Sequence, residues 1–162
     1  MADPLRIGIL GAARIAPMAL VRPARSVPEA EVSAVAARDE ARARRFAARH
    51  GIPRVHRGYA ELLADPAIDA VYNPLPNGLH CEWTIRALEA GKHVLCEKPL
   101  AANQDEAARM AETAEKTGLV LMEAFHWRYH PLAAGMRGIV GGGAAGGLRA
   151  RQALTCIPPN LP

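Results

Sequence analysis

The sequence predicts an α/β fold built on a doubly wound parallel sheet. Three observations carry this. Short apolar strands alternate with helix-length segments as far as residue 124, the pattern of a parallel sheet covered on both faces. Three of those helices stop at a glycine, Gly51, Gly91 and Gly118, where a left-handed residue closes the last turn. The first strand runs into the small-residue turn GAARIA, Gly11 to Ala16, a dinucleotide-type strand–helix junction. The expected class is therefore Rossmann-type, with the truncated start of a second α/β domain behind it.

The elements follow in order. Arg6 to Leu10 reads as the first strand. A helix is expected from about Ile15, with Pro17 tolerated in its first turn and Pro23 kinking or ending it. Glu31 to Ala37 is the second strand. Asp39 can cap the next helix, which carries Phe46 and Ala47 and stops at His50–Gly51. Pro53 to Arg57 is a short strand, Tyr59 to Ala64 a short helix, Asp65–Pro66 a turn, and Ile68 to Tyr72 a strand. The next helix spans Leu79 to Ala90 and is followed by the strand 93–96. A helix over Gln104 to Thr117 opens on Asn103 and Glu106, spaced as a capping box. Leu119 to Met122 is the last strand of the set. Composition then changes. Residues 125–131 (FHWRYHP) hold three of the seven Phe, Trp and Tyr residues, Gly141 to Gly147 reads as a flexible turn, and Leu148 to Ile157 as one more strand. The domains expected are 1–124 and 125–162, the latter a linker and the beginning of an incomplete C-terminal substrate or oligomerisation domain.

Half of the 162 residues are hydrophobic and only 4% are aromatic, so the core must be aliphatic. No stretch reaches the about 18 apolar residues that a bilayer span requires. The N-terminus lacks the pattern of a secretion signal. A cytoplasmic location is the expectation. Cys81, Cys96 and Cys156 are scattered, without metal-ligand spacing; they read as reduced core thiols, and no metal is expected. Residues 38–57 carry seven arginines against Asp39 and Glu40. Without interleaved aromatics or a recognition motif this argues against nucleic acid as a partner; it reads mainly as a solvated helix face.

Chemistry gathers at strand exits. The fingerprint G-x-G-x-x-G/A maps onto Gly11, Ala13 and Ala16. The first makes the tight turn, the second admits a pyrophosphate, and the third allows close helix packing. Alanine at the second position adds a methyl where phosphate approaches. Gly11, Ala13, Arg14 and Ile15 are thus candidate cofactor residues, with phosphate at the helix N-terminus. An ordinary small-residue turn is the other reading. Arg38 stands where an acid would bind the ribose 2′-hydroxyl of NAD; a guanidinium there suits the 2′-phosphate of NADP. Asp39 keeps NAD open. The proline-stiffened segment Asn73 to His80 offers Asn73, Pro74, Asn77 and His80 along a cofactor, or else is a loop with Asn77 as N-cap. Lys98, just past the strand 93–96, is the catalytic candidate. A partly desolvated lysine can stabilise charge on oxygen and move a proton. Glu97 can hold a ribose hydroxyl or tune the lysine. Arg128 is a candidate for a phosphate or carboxylate, in a stretch that reads equally well as an interdomain seam.

The segments GILGAARIA (8–16), VAARD (35–39), YNPLPNGLH (72–80), AGKHVLCEKP (90–99) and MEAFHWRYHP (122–131) occur in an order that resembles the N-terminal part of the Gfo/Idh/MocA oxidoreductase family. Within it the chain is similar to the dihydrodiol dehydrogenase and D-xylose 1-dehydrogenase subgroup, with NDP-deoxysugar ketoreductases close by. The resemblance implies a Rossmann domain followed by a larger α/β domain. It also implies Lys98 near the nicotinamide, Glu97 and His80 toward the ribose, and a cis Lys98–Pro99 bond. Two departures stand out: Ala13 in place of glycine, and a chain that stops at Pro162, before the Asp and His that the family's second domain supplies.

The expected function is an NADP-dependent oxidoreductase (alternatively NAD-dependent), transferring a hydride between nicotinamide and a sugar or cyclic diol carbon. The chain is expected to be a fragment, inactive alone, of a parent that forms homo-oligomers, with no membrane partner. A non-catalytic NAD(P)-binding module is the alternative.

Overall fold

The first strand, β1 (Leu5–Leu10), pairs in parallel with β2 (Ala30–Ala36) on one side and β4 (Ala70–Asn73) on the other. In the computed structural model, which describes residues 3–143 and 146–147, β2 also pairs with β3 (Arg54–His56). β4 pairs with β5 (His93–Cys96), and β5 with β6 (Leu121–Glu123), all parallel. The sheet order is β3-β2-β1-β4-β5-β6. This is the doubly wound Rossmann order, with its switch point between β1 and β4. Contacts divide the chain into two units, Met1–Ala124 and Phe125–Pro162.

Alternation along the strands sends side chains to two aliphatic layers. On one face Leu10, Val71, Val94 and Cys96 meet Leu62 of α3 (Tyr59–Ala64), Leu88 of α4 (His80–Glu89) and Met110 of α5 (Gln104–Thr117). On the other, Ile9, Val35 and Tyr72 meet Ala16, Leu20 and Val21 after the first turn and Ala47 of α2 (Glu40–His50). Leu62, Leu88 and Met110 are fully or almost fully buried. Each such side chain contributes about 1.5–3 kcal/mol of apolar burial. Gly8 permits the close approach of α3, since a Cβ there would lie 2.7 Å from Leu62 Cδ2.

Several boundaries move from their expected places. The first helix is a π-helical turn, Pro17–Val21, running into a short α-helical turn, α1 (Arg22–Ala24). Pro23 has no N–H and its ring would strike the carbonyl four residues back, so the backbone widens ahead of it instead of ending. Asn77 is not an N-cap: Asn77–Leu79 forms a 3₁₀ turn that begins after Pro76 and leads into α4. The Asn103 cap is present, accepting from Glu106 N at 2.9 Å. Glu106 answers to Ala102 N, one residue earlier than in the standard box. The last strand begins two residues later than expected and ends one later. The residues between Gly118 and β6 are taken up by the connection, where Val120 N–H donates to His93 Nδ1.

In the second unit, His126–Tyr129 forms a 3₁₀ turn and α6 (Pro131–Gly141) follows, with His130 accepting from Leu132 N at 3.2 Å. Residues 132–140, to which the sequence assigned nothing, are helical despite Gly135 and Gly138. The strand expected over Leu148 to Ile157 lies outside the described residues, as does Cys156. Among the described residues no helix is long and apolar enough to cross a membrane.

Candidate functional site

Parallel strands place every exit on one rim. The turn after β1, the loop after β4 and the loop after β5 therefore share the carboxyl edge of the sheet, at the switch point where open α/β folds bind ligands. Between β1, β2 and β4 lies a groove of about 820 Å³. Its walls include Gly11 to Ile15, Arg38, Arg42, Tyr59 and Pro74 to Pro76.

Gly11 sets the base of the groove. It sits at φ +94°, and a Cβ would meet Leu75 Cδ2 at 3.0 Å. Its N–H donates to the Ala36 carbonyl at 2.6 Å, locking the turn to β2. Among the described residues the N–H groups of Ala13, Arg14 and Ile15 meet no intramolecular acceptor, while Ala16 N–H closes on Ala13 O at 3.3 Å. Free amides at a helix entry suit an anion. Ala13 is partly exposed and lines the groove.

Arg38 is exposed at the groove's edge, beyond β2. Asp39 borders the same groove, but its Oδ1 caps α2 by accepting from Arg42 N at 3.1 Å. Arg42, which the sequence reading left in the solvated arginine face, bends back over the first turn. Its Nη2 donates to the Ala12 carbonyl at 2.9 Å. The signal for it was its place in the first turn of α2, one turn beyond Arg38.

The loop after β4 divides. Pro74 belongs to the groove wall and Asn77 is exposed outside it. Asn73 and His80, expected to touch a cofactor, are fully buried. Asn73 Nδ2 donates to Thr84 Oγ1 at 3.1 Å and to His80 O at 3.3 Å. His80 Nε2 lies 2.7 Å from the Leu75 carbonyl oxygen, and Nδ1 lies 2.9 Å from that of Pro99. His80 thereby ties the groove wall to the loop after β5, while the Asn73 side chain ties the end of β4 to α4.

That loop carries Lys98, exposed, and a cis Lys98–Pro99 bond. The partial desolvation expected for the lysine is not provided by the described surroundings. Glu97 directly follows β5. It is buried, its Oε1 accepts from the Tyr72 hydroxyl at 2.7 Å, and its Oε2 accepts from Lys98 N at 3.1 Å. Both oxygens are thus engaged by donors of this chain. Burial, then the Glu97 bond, holds the Tyr72 phenol above its ordinary range. Burial likewise pushes the Cys96 thiol up to about 12. Glu123 Oε1 secures the far side by accepting from Leu100 N at 2.9 Å. Arg128 is exposed in the second unit, where its carbonyl accepts from Arg137 Nη1 at 3.3 Å. The sequence shows Tyr72 only as a strand residue; its bond to Glu97 depends on register and packing.

The model of the Gfo/Idh/MocA family, described as an oxidoreductase family with an NAD-binding Rossmann fold, matches residues 5–125. The chain is 50% identical over 128 residues to D-xylose 1-dehydrogenase (NADP(+)) 2 of Haloferax volcanii, covering 79% of this chain and 39% of that protein. It is 45% identical over 159 residues to a dTDP-3,4-didehydro-2,6-dideoxy-alpha-D-glucose 3-reductase of Saccharopolyspora spinosa, covering 98% and 48%. A 3-ketoreductase from Actinomadura kijaniata, solved in complex with NADP and TDP-benzene, superimposes with a TM-score of 0.80 at 42% identity, covering 87% of this chain and 43% of that one. The chain spans about half the length of these relatives. With the strand order, the rim and the matched residues together, this chain belongs to the Gfo/Idh/MocA oxidoreductase family.

Proposed function

We propose that the protein is an NADP-dependent oxidoreductase that transfers a hydride between nicotinamide and a carbon of a sugar or cyclic diol. The observation that carries this reading is the shared rim: the Gly11 turn, Arg38 and Lys98 all lie at strand exits of one parallel sheet. The relatives named for D-xylose and for a dTDP-sugar support the substrate class, and those named with NADP support the cofactor.

The residues present fit a dinucleotide. Gly11 to Ile15 would take the pyrophosphate on free amides, and Arg38 would take the 2′-phosphate through its planar fork. When bound, the nicotinamide would supply or accept the hydride. Lys98 would donate a hydrogen bond to the substrate oxygen, stabilise negative charge on it, and give or take its proton. Asn73 and His80 hold the groove wall and the Lys98 loop in register. The second unit would open a further α/β domain that completes the substrate pocket and pairs subunits.

A titration with NADPH and NADH tests the assignment. NADPH is expected to bind at least about tenfold tighter, with the preference lost in Arg38→Ala, as removal of a charge-assisted phosphate contact requires. Tighter binding of NADH, unchanged by Arg38→Ala, would remove the NADP reading. Lys98→Met is expected to lower kcat by about 10²–10⁴ while leaving NADPH affinity within a few-fold. Cofactor binding with no turnover of sugars or diols by the full protein would leave a binding module instead.

A further inference from the structure

A buried pair of polar side chains lies beneath the rim. Tyr72 is 1% exposed and Glu97 7% exposed. Their bond follows from strand register. Tyr72 lies opposite Leu95, and Glu97 is two residues further along, so it projects to the same sheet face and the phenol reaches it diagonally. The ring packs among Ile9, Ala16 and Ala124, an apolar setting that a phenylalanine would fill as well. What the hydroxyl adds is the 2.7 Å bond to Glu97 Oε1. The second carboxylate oxygen accepts the Lys98 amide at 3.1 Å, and Glu97 N–H donates to the Asn73 carbonyl at 3.0 Å. Both donors to this buried carboxylate are neutral, so removing one leaves a charge underbonded.

We propose that Tyr72 is a positioning residue for Lys98. Through the Glu97 carboxylate it fixes the peptide between residues 97 and 98, and so sets where the lysine ammonium stands on the rim. The inference rests on the reading of Lys98 as the proton-transferring group. It gives the tyrosine on β4 a role in the reaction although it touches neither substrate nor cofactor.

Tyr72→Phe in the full-length protein is the test, with Glu97→Gln as a second variant that keeps side-chain volume. Amide hydrogen exchange needs no turnover. The Lys98 amide is expected to exchange about tenfold faster in either variant while the amides of Val94 and Cys96 in β5 hold their rates, because only the loop is released. In turnover, Tyr72→Phe is expected to lower kcat about tenfold with the cofactor KM within twofold, as a misplaced catalytic group does. The double variant should be no slower than Glu97→Gln alone, since the tyrosine acts through the carboxylate. An unchanged Lys98 amide in both variants, or losses that simply add, would overturn the proposal. Faster Lys98 exchange in both variants of a protein whose wild type turns over no sugar or diol would instead count against the oxidoreductase reading and leave the positioning intact.

Discussion

At Gly11 a single methyl group has two separate costs. The backbone sits at φ +94°, where L-residues are strained, and the added Cβ meets Leu75 Cδ2 at 3.0 Å. Gly11→Ala is expected to destabilise the fold by about 1–3 kcal/mol, read from a denaturant midpoint. The sequence made this residue legible because a tight turn after a strand has few solutions. It made Lys98 legible for the same reason, as a charge placed at a strand exit. It did not show that Asn73, Glu97 and His80, which share the rim, turn inward. Residue type and position along the chain do not reveal which side of a loop a side chain takes. Nor could they pair Tyr72 with Glu97, 25 residues apart, because the bond needs the register of β4 on β5.

Among the elements, strands and helices alternate as the apolar pattern dictates, and the caps at Asp39 and Asn103 fall where their side chains demand. Errors cluster at boundaries, as at β6, where local propensity is weak and sheet pairing decides. Helix α5 is anchored by Met110, its one fully buried side chain among the described residues. Met110→Ala is expected to cost about 2–5 kcal/mol, measured by urea unfolding. The amino edge of the sheet is tied differently. Asp69, before β4, accepts from Arg6 Nε at 2.8 Å and Nη2 at 2.6 Å, and from the Arg6 backbone N–H at 2.9 Å. Hydrogen bonding from the Arg6 side chain, opposed by partial burial, lowers the Asp69 carboxyl to about 2. A folded value below the unfolded one stabilises above about pH 4 and is lost as pH falls through about 2. The melting-temperature gap between wild type and Asp69→Asn should therefore close between those limits. The gap will be small at any pH because both groups are partly open to water.

For the whole molecule, the strand order matters more than any motif. With β1 between β2 and β4, the first turn, the arginine after β2 and the lysine after β5 are gathered onto one edge, though Gly11 and Lys98 stand 87 positions apart in the sequence. The sequence could imply this only through the right-handed crossover of parallel strands. It also means that a bound dinucleotide should shield the lysine. Amine-selective labelling of the full-length protein, read by mass spectrometry with and without saturating NADPH, tests this most directly. Lys98 is expected to label at least about tenfold more slowly with the nucleotide bound, since labelling requires an open amine. Lys116, on the exposed surface of α5 beside Glu112, should label at its former rate. If Lys98 labels equally fast under saturating NADPH, the nucleotide and the ammonium do not share a site and the account fails.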